Sequence, residues 1–471
     1  MDSLAACPSP RAIKETLERL PKDLPETYKR MLQSILPDLK AAATRLLQFI
    51  VHSQRPLTVP EAVEVIATEI GAGSQHFDID RRVFDGIEVL RYCPGLISII
   101  KARDHRDVVR TELHLAHFSV KEYLETEANF KQQSTSIVIT HTCLTYLTDI
   151  TDTHQITRDF PMAQFAAEIW TSHGALAESD KDVFRAILIF LQEDNTFQRW
   201  GRLHQADQSW NDDPGPPRAS RLYYACLGGL ARVAEELIIK GADINAQGGR
   251  YGNAVHAASY EGHDKIVELL LDNGANINAQ GGEYGNALQA ASYKGHDKVM
   301  ELLLDKGENI NARGGEYGNA LYAALSKGHD RIVELLLDKG ANINAQGGFY
   351  GNTLYAASYE GHDKIVERLL DKGVNVNAQG GEYGNALQAA SYKGHDKIGA
   401  NVNAQGGRYG NALHAASCNG HDKIMELLLD KGANVNAQGG EYDNAVQAAS
   451  SEGHDKTVEL LLDKGANVNA Q

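Results

Sequence analysis

Seven Gly-His-Asp triplets, centred on His263, His296, His329, His362, His395, His421 and His454, set an imidazole beside a carboxylate again and again. Histidine next to aspartate is the raw material of metal sites and of acid–base catalysis. The spacing argues against both. The triplets recur every 33 residues and once, from His395 to His421, after 26. Stacked helices lie ~8–10 Å apart, so such copies cannot converge on one ion whose ligands stand about 2 Å from it. Each histidine is expected to shape a bend between two helices. The Gly-Gly-Glu-Tyr-Gly phrase at 281–285 is glycine-rich enough to cradle a phosphate, but no Lys-Ser/Thr ending follows and the phrase recurs at every turn.

Other chemistry is equally thin. No phosphate-loop signature, no Gly-x-Ser-x-Gly and no His-Glu-x-x-His occurs, and no nucleophile stands beside a base. The five cysteines (Cys7, Cys93, Cys143, Cys226, Cys418) are scattered without a Cys-x-x-Cys pair, which disfavours a disulfide framework or zinc knuckle. No catalytic residue, cofactor or metal is expected, and no ATP binding. The 471 residues carry 46 basic and 62 acidic side chains, a net charge of −16. On either side of the Pro217 boundary the count is 23 basic against 31 acidic. Nucleic acid would need a concentrated basic face, and a membrane-spanning helix about 18 or more consecutive apolar residues. Neither is present, so a soluble, cytoplasmic protein is expected.

The 33-residue period is the organising fact. Tyr251, Tyr284, Tyr317, Tyr350 and Tyr383 keep it, Tyr409 follows after 26, and Tyr442 restores it, with a degenerate copy from Leu222 before them. In each copy an asparagine such as Asn253 can cap a short helix ending at Gly262. Asp264 opens a second helix whose Ile266, Val267, Leu269, Leu270 and Leu271 make an apolar face too wide for one partner. Such a helix must be sandwiched between neighbours. The "GANINAQGG" that follows supplies a hairpin-like finger.

This pattern, "AAxxxGH…VELLLxxGAN.NA" over residues 218–471, resembles the ankyrin repeat. The family's Thr-Pro-Leu-His is replaced by Asn-Ala-Leu-Gln (286–289) or Asn-Ala-Val-His (253–256), keeping the cap and losing the rigid proline. Eight copies are expected. The copy at 383–408 lacks "VELLLDK" and with it a second helix. Val and three Leu leave a sandwiched layer at ~1.5–3 kcal/mol each, so a break is expected near Ile398 and residues 399–471 should be loosely held, leaving recognition to 218–398.

Residues 1–130 read differently. Ser9-Pro10 opens a helix with Ile13, Leu17 and Leu20 on one face, and Asp38 another with Leu39, Ala43, Leu46, Leu47 and Ile50. Thr58-Val-Pro-Glu61 is a capping box. Strands at 95–100 and 111–118 flank a polar turn whose Lys101, Arg103, Arg106 and Arg110 are diluted by Asp104 and Asp107. Helices followed by a two-stranded wing imply a winged helix. The phrases "LERLPKDLPETYKRML" (17–32), "LLQFIVHSQRPLTVPEAVEVIA" (46–67), "CPGLISI" (93–99) and "LHLAHFSVKEYLE" (113–125) resemble the winged-helix segment after the NACHT ATPase domain in fungal NLR-like proteins with C-terminal ankyrin repeats. That segment is often labelled after GPI inositol-deacylase, a label that imports no catalysis. The resemblance continues through "FPMAQFAAEIW" (160–170) and "FQRWGRLHQADQSW" (197–210), a helical connector over 131–217. It implies a regulatory winged helix, an absent ATPase domain and a first residue close to where that domain would end.

The expected fold is therefore mainly α, with a winged-helix domain, a helical connector and an ankyrin α-solenoid with β-hairpin fingers. The expected function is non-catalytic recognition of a protein on the concave ankyrin face, in innate-immunity-like or self/non-self signalling. One alternative is an ATPase-less regulator that pairs with a NACHT-containing relative through 1–130; a second is a lipid or GPI hydrolase. Differences among the copies nominate the partner-binding residues. They are the finger tips Arg250, Glu283, Glu316, Phe349 and Glu382, the first-helix position His256, Gln289, Tyr322, Tyr355 and Gln388, and, four residues further on the same helical face, Tyr260, Tyr293, Tyr359 and Tyr392. Tyr322, Phe349, Tyr355 and Tyr359 would form an aromatic centre.

Overall fold

The structure, a computed structural model, describes residues 23–71, 75–103, 109–151, 156–208, 215–347, 351–395 and 401–467. The helix expected from Ser9-Pro10, the thiol of Cys7, the wing tip with Arg106, and Phe349, Tyr350 and Ile398 lie outside them. The chain divides into two compact units, Met1–Pro217 and Arg218–Gln471.

The first unit begins with α1 (Leu24–Gln33), capped by Asp23, and α2 (Pro37–His52), which buries Ala43, Leu46, Leu47 and Phe49 completely. After β1 (Leu57–Thr58) the capping box forms as expected. Thr58 Oγ1 accepts the Glu61 N–H at 3.4 Å, the Glu61 carboxylate accepts the Thr58 N–H at 2.8 Å, and α3 (Val59–Ala67) follows. A short hairpin joins β2 (Thr68–Glu69) to β3 (His76–Phe77). Then β4 (Ile97–Arg103) and β5 (Val109–Leu115) pair antiparallel, and β1 joins β5, giving the order β1-β5-β4 with Leu113 opposite both Leu57 and Ile99. The strands run nearer the turn than expected, and Phe118 opens α4 (Phe118–Leu124), where the His117 side chain caps the helix and ends the strand.

The segment read as a connector shares this core. It consists of α5 (Gln132–Asp149), α6 (Ile156–Asp159), α7 (Ala163–Ala177), α8 (Lys181–Gln192) and α9 (Asp194–Leu203). Phe165 of α7 lies 6.5 Å from Phe49 of α2, and Trp170 and Trp200 meet edge to face at 5.3 Å with the Trp200 N–H on the Ala167 carbonyl.

The second unit is a run of helix pairs: α10/α11 (Arg221–Leu227, Ala231–Ile239), α12/α13 (Ala254–Glu261, Asp264–Asp272), α14/α15 (Ala287–Lys294, Asp297–Asp305) and α16/α17 (Ala320–Lys327, Asp330–Asp338). A minimal hairpin, β6 (Gln346–Gly347) with β7 (Gly351–Asn352), leads to α18/α19 (Thr353–Glu360, Asp363–Asp371). A first helix, α20 (Ala386–Lys393), then has no second helix among the described residues. The pairs α21/α22 (Ala412–Cys418, Asp422–Asp430) and α23/α24 (Ala445–Ser451, Asp455–Asp463) finish the unit. Asn253 accepts the His256 N–H and caps α12, which ends at Gly262 with φ 79°. Only glycine serves there, because a Cβ would stand 2.6 Å from the His296 ring of the next repeat. In the second helices Ile266, Val267 and Leu270 are buried while Leu269 and Leu271 are half-buried.

Successive fingers are tied by asparagines. Asn245 Oδ1 accepts the Asn276 N–H at 2.8 Å, and the same bond recurs from Asn309 to Asn278, Asn342 to Asn311 and Asn375 to Asn344. It continues across the shortened copy, Asn401 to Asn377 at 3.3 Å, and on to Asn434 and Asn467. The break expected near Ile398 therefore does not extend to the fingers. First helices and fingers stay in register because the seven missing residues belong to the second helix alone. Amide exchange in α22 and α24 should be faster than in α13, α15 and α17, and inserting Val-Glu-Leu-Leu-Leu-Asp-Lys between Ile398 and Gly399 should slow it. Equal protection before insertion would show that the second layer adds nothing there.

Candidate functional site

The finger tyrosines and the half-buried first-helix tyrosines interleave. Tyr260 stacks on Tyr251 at 4.1 Å and reaches Tyr284 of the next finger at 5.2 Å; Tyr293 stands 4.9 Å from both Tyr284 and Tyr317. A second run goes from Tyr355 through Tyr359, Tyr383, Tyr392 and Tyr409 to Tyr442, with centroids 4.4–6.4 Å apart. Each lysine after a first-helix tyrosine position reaches back over a ring of the preceding repeat: Lys294 over Tyr260 at 4.6 Å, Lys327 over Tyr293 at 4.8 Å and Lys393 over Tyr359 at 4.4 Å. Ammonium groups over aromatic faces hold both in place. Of the nominated residues, Tyr260 and Tyr293 belong to the first run and Tyr359 and Tyr392 to the second, and all four are half-exposed.

The finger tips behave differently from one another. Arg250 makes a bidentate pair with Glu283, which holds its guanidinium pKa above the ordinary value. Arg408 bridges Glu441 at 2.6 Å and Glu382 at 3.7 Å. Glu316 is exposed.

The first-helix position is a correction. His256, Gln289, Tyr322, Tyr355 and Gln388 are buried, so none of them lines a surface and the aromatic centre expected around Tyr322 and Tyr355 is core. The finger of the following repeat covers the first turn of each helix, and these side chains satisfy its backbone. Tyr322 donates its hydroxyl to the Ala345 carbonyl at 2.7 Å, Gln289 its amide to Ala312 at 3.3 Å and Gln388 its amide to Ala404 at 3.2 Å. The His256 ring lies between the carbonyls of Tyr251 and Ala279, and Tyr355 accepts the Tyr383 N–H at 3.2 Å. Sequence reasoning missed this role. Its signal was that only long side chains able to hydrogen-bond occupy the position.

Five of the Gly-His-Asp histidines are used up in a similar way, whereas His362 Nε2 is buried without a partner. His296, His329 and His421 each bond the carbonyl of Tyr260, Tyr293 or Tyr392 at 2.9 Å, so they join one repeat to the next as well as shaping the bend. In the first unit Ser136 Oγ lies 3.1 Å from His173 Nδ1, but Ser136 is fully buried and cannot meet a substrate. The Ser119–His117 contact is a helix cap that also carries the Tyr28 hydroxyl. Cys93 is buried and its thiol pushed up to about 12 by burial.

Glu308 was not nominated. It occupies the position held by Ala275, Ala341 and Ala433 in other copies. The side chain is 6% exposed, accepts the Leu288 N–H at 3.0 Å through one oxygen, and leaves the other buried without a partner. Burial raises its pKa from 4.5 to about 8.

The family described as Ankyrin repeats (3 copies) matches residues 203–281, 222–314, 279–347, 321–399 and 387–471. The chain is 37% identical over 282 residues to the Azaphilone pigments biosynthesis cluster protein L of Monascus ruber. The match takes in 52% of this chain and 58% of that relative, so the chain spans little more than half the relative's length. Among solved structures, the crystal structure of the human ASB11 ankyrin repeat domain matches at 23% identity and a TM-score of 0.37, over 51% of this chain and 97% of that one.

Two outcomes follow for stability. Tyr322→Ala should destabilise the repeats by about 3–5 kcal/mol, as aromatic-to-alanine core changes do. Tyr322→Phe should cost about 1–3 kcal/mol by orphaning the Ala345 carbonyl. Urea titration checks both, and a change near zero would return Tyr322 to the surface. For Glu308 the raised folded pKa means the folded array prefers the neutral acid. Stability is intact below pH 4.5 and falls as pH rises toward about 8, by up to about 1.4 kcal/mol per unit. Glu308→Ala should flatten that slope between pH 5 and pH 8.

Proposed function

From the premise that the chain belongs to the ankyrin-repeat family, we propose that it is a non-catalytic protein-recognition protein. Its partner would lie along the concave side of the array, on the row of Tyr260, Tyr293, Tyr359 and Tyr392 with Lys294, Lys327 and Lys393. The carrying observation is that row. Half-exposed rings fixed by stacking offer large contact area at little entropic cost, the kind of anchor around which binding energy concentrates. Lysines already oriented by the rings add charge selectivity. The finger-tip pairs Arg250–Glu283 and Arg408–Glu441 flank it as a polar rim.

For residues 1–130 the reading is a winged helix of the kind found in NACHT-ankyrin proteins, supported by the strand order β1-β5-β4 with α3 between β1 and the hairpin. A signalling role in such a protein is part of the same proposal. A second reading, that this unit pairs with a NACHT-containing relative, is favoured by the exposed apolar side chains Ile79, Phe84 and Ile87. Nothing comparable supports a hydrolase, since the Ser–His contacts are structural. No described helix is long and apolar enough to cross a membrane.

The test is reversal of charge on the row, with Lys294→Glu, Lys327→Glu and Lys393→Glu combined. A protein cross-linked to the wild-type array in its native extract should bind the purified variant at least tenfold more weakly, about 1.4 kcal/mol, while the helical circular-dichroism signal is kept. Equal affinity of wild type and variant would place recognition elsewhere.

A further inference from the structure

Arg45 sits in the third turn of α2 and is 6% exposed. A buried guanidinium is expected to face a carboxylate, because an uncompensated charge in the interior is strongly destabilising. None pairs with it among the described residues. Its Nε donates to the Val65 carbonyl at 3.0 Å and one Nη to the Ile66 carbonyl at 3.2 Å, so it caps the last turn of α3. Capping uses two of five N–H donors, and a helix C-terminus offers only about half a negative charge.

The rest of the side chain lines a cavity of about 510 Å³ together with Leu39, Ile66, Ile70, Arg81 and Tyr92. Asp38 and Glu69 also line it. Glu69 is engaged by Arg81, which bonds Asp78 as well at 3.5 Å, and Asp38 is on the exposed first turn of α2, two turns from Arg45. Burial and the neighbouring Arg81 together pull the Arg45 pKa down to about 10. A half-open, partly apolar cleft with one under-compensated cation in its wall is a geometry that suits a small-ligand site, and the flat guanidinium fork matches a planar or tetrahedral oxyanion.

We propose that the cavity between α2, α3 and the β2–β3 hairpin binds a small oxyanion-bearing molecule, a carboxylate or phosphate, whose charge rests on Arg45 and whose body lies against Leu39, Ile66, Ile70 and Tyr92. The site is separate from the tyrosine row and gives the first unit a ligand of its own.

All three tryptophans, Trp170, Trp200 and Trp210, precede residue 218, so tryptophan emission during heating of the full chain reports the first unit alone. With ionic strength held constant by chloride, millimolar benzoate or inorganic phosphate should raise that transition by a few degrees. The larger response identifies the preferred oxyanion. Ala42→Phe, which keeps Arg45 and places a ring in the cavity that Ala42 also lines, should abolish the response, as should Arg45→Lys, which keeps a charge but not the fork. If Arg45→Lys fails to fold, Ala42→Phe decides. A wild-type transition that neither anion moves beyond chloride, or an undiminished response in Ala42→Phe, overturns the proposal.

Discussion

The backbone of each finger is the constraint on which the repeat array depends. Among the described residues a finger makes at most a two-residue ladder of its own. Carbonyls such as that of Ala345 are covered by neighbouring repeats, where a polar group without a partner costs about 1–3 kcal/mol, while its N–H groups are held at the exposed edge. The chain answers with side chains from the preceding repeat. Asparagines such as Asn245 and Asn278 accept the N–H groups of the next finger, and the first-turn residues Gln289, Tyr322 and Gln388 donate to its carbonyls. Glycines follow from the same closeness: a Cβ on Gly282 would lie 2.1 Å from the Tyr251 carbonyl oxygen.

That constraint explains what the sequence made legible. Asn253, Gly262 and Asp264 act locally, within one helix or one turn, so their roles could be read from type and spacing, as could the Thr58–Glu61 box. The exposure of the first-helix position could not. His256 and Tyr260 do share a face, but a face of an eight-residue helix is not at one depth. The following finger covers its first turn and leaves its last turn half-open, and nothing within a single copy encodes where that neighbour lies. The tyrosine row was half legible for the same reason. Tyr260 and Tyr284 are 24 residues apart, and their contact depends on the step from one repeat to the next.

Variation between copies thus has two physical meanings. At the first-turn position His, Gln and Tyr alternate because each can bond the backbone of the following finger, so change there is interchange within a core. At Glu261, Lys294, Lys327, Glu360 and Lys393 the backbone requires nothing of the side chain, and change there alters what the surface presents. Glu308 is a third kind, a lone carboxyl where other copies keep Ala or, at Val374, a larger apolar side chain, and burial raises its pKa.

The shortened copy separates the two layers. The asparagine bond normally joins residues 31 apart and there joins residues 24 apart, the difference being the seven that are missing. Tyr383 and Tyr409 still stack at 5.6 Å with planes 7° apart, and His421 still holds the Tyr392 carbonyl. The outer layer is not continuous among the described residues. The Lys–Asp series that runs Lys306–Asp272, Lys339–Asp305 and Lys372–Asp338 resumes at Lys464–Asp430, with no described member at Lys431, the copy before it having no second helix among the described residues. Fingers and first helices therefore hold the register and the tyrosine row, while second helices supply bulk burial. A deletion confined to the second helix removes burial where it falls and leaves the stacked tyrosines continuous across it, so binding and stability in this array are expected to change independently.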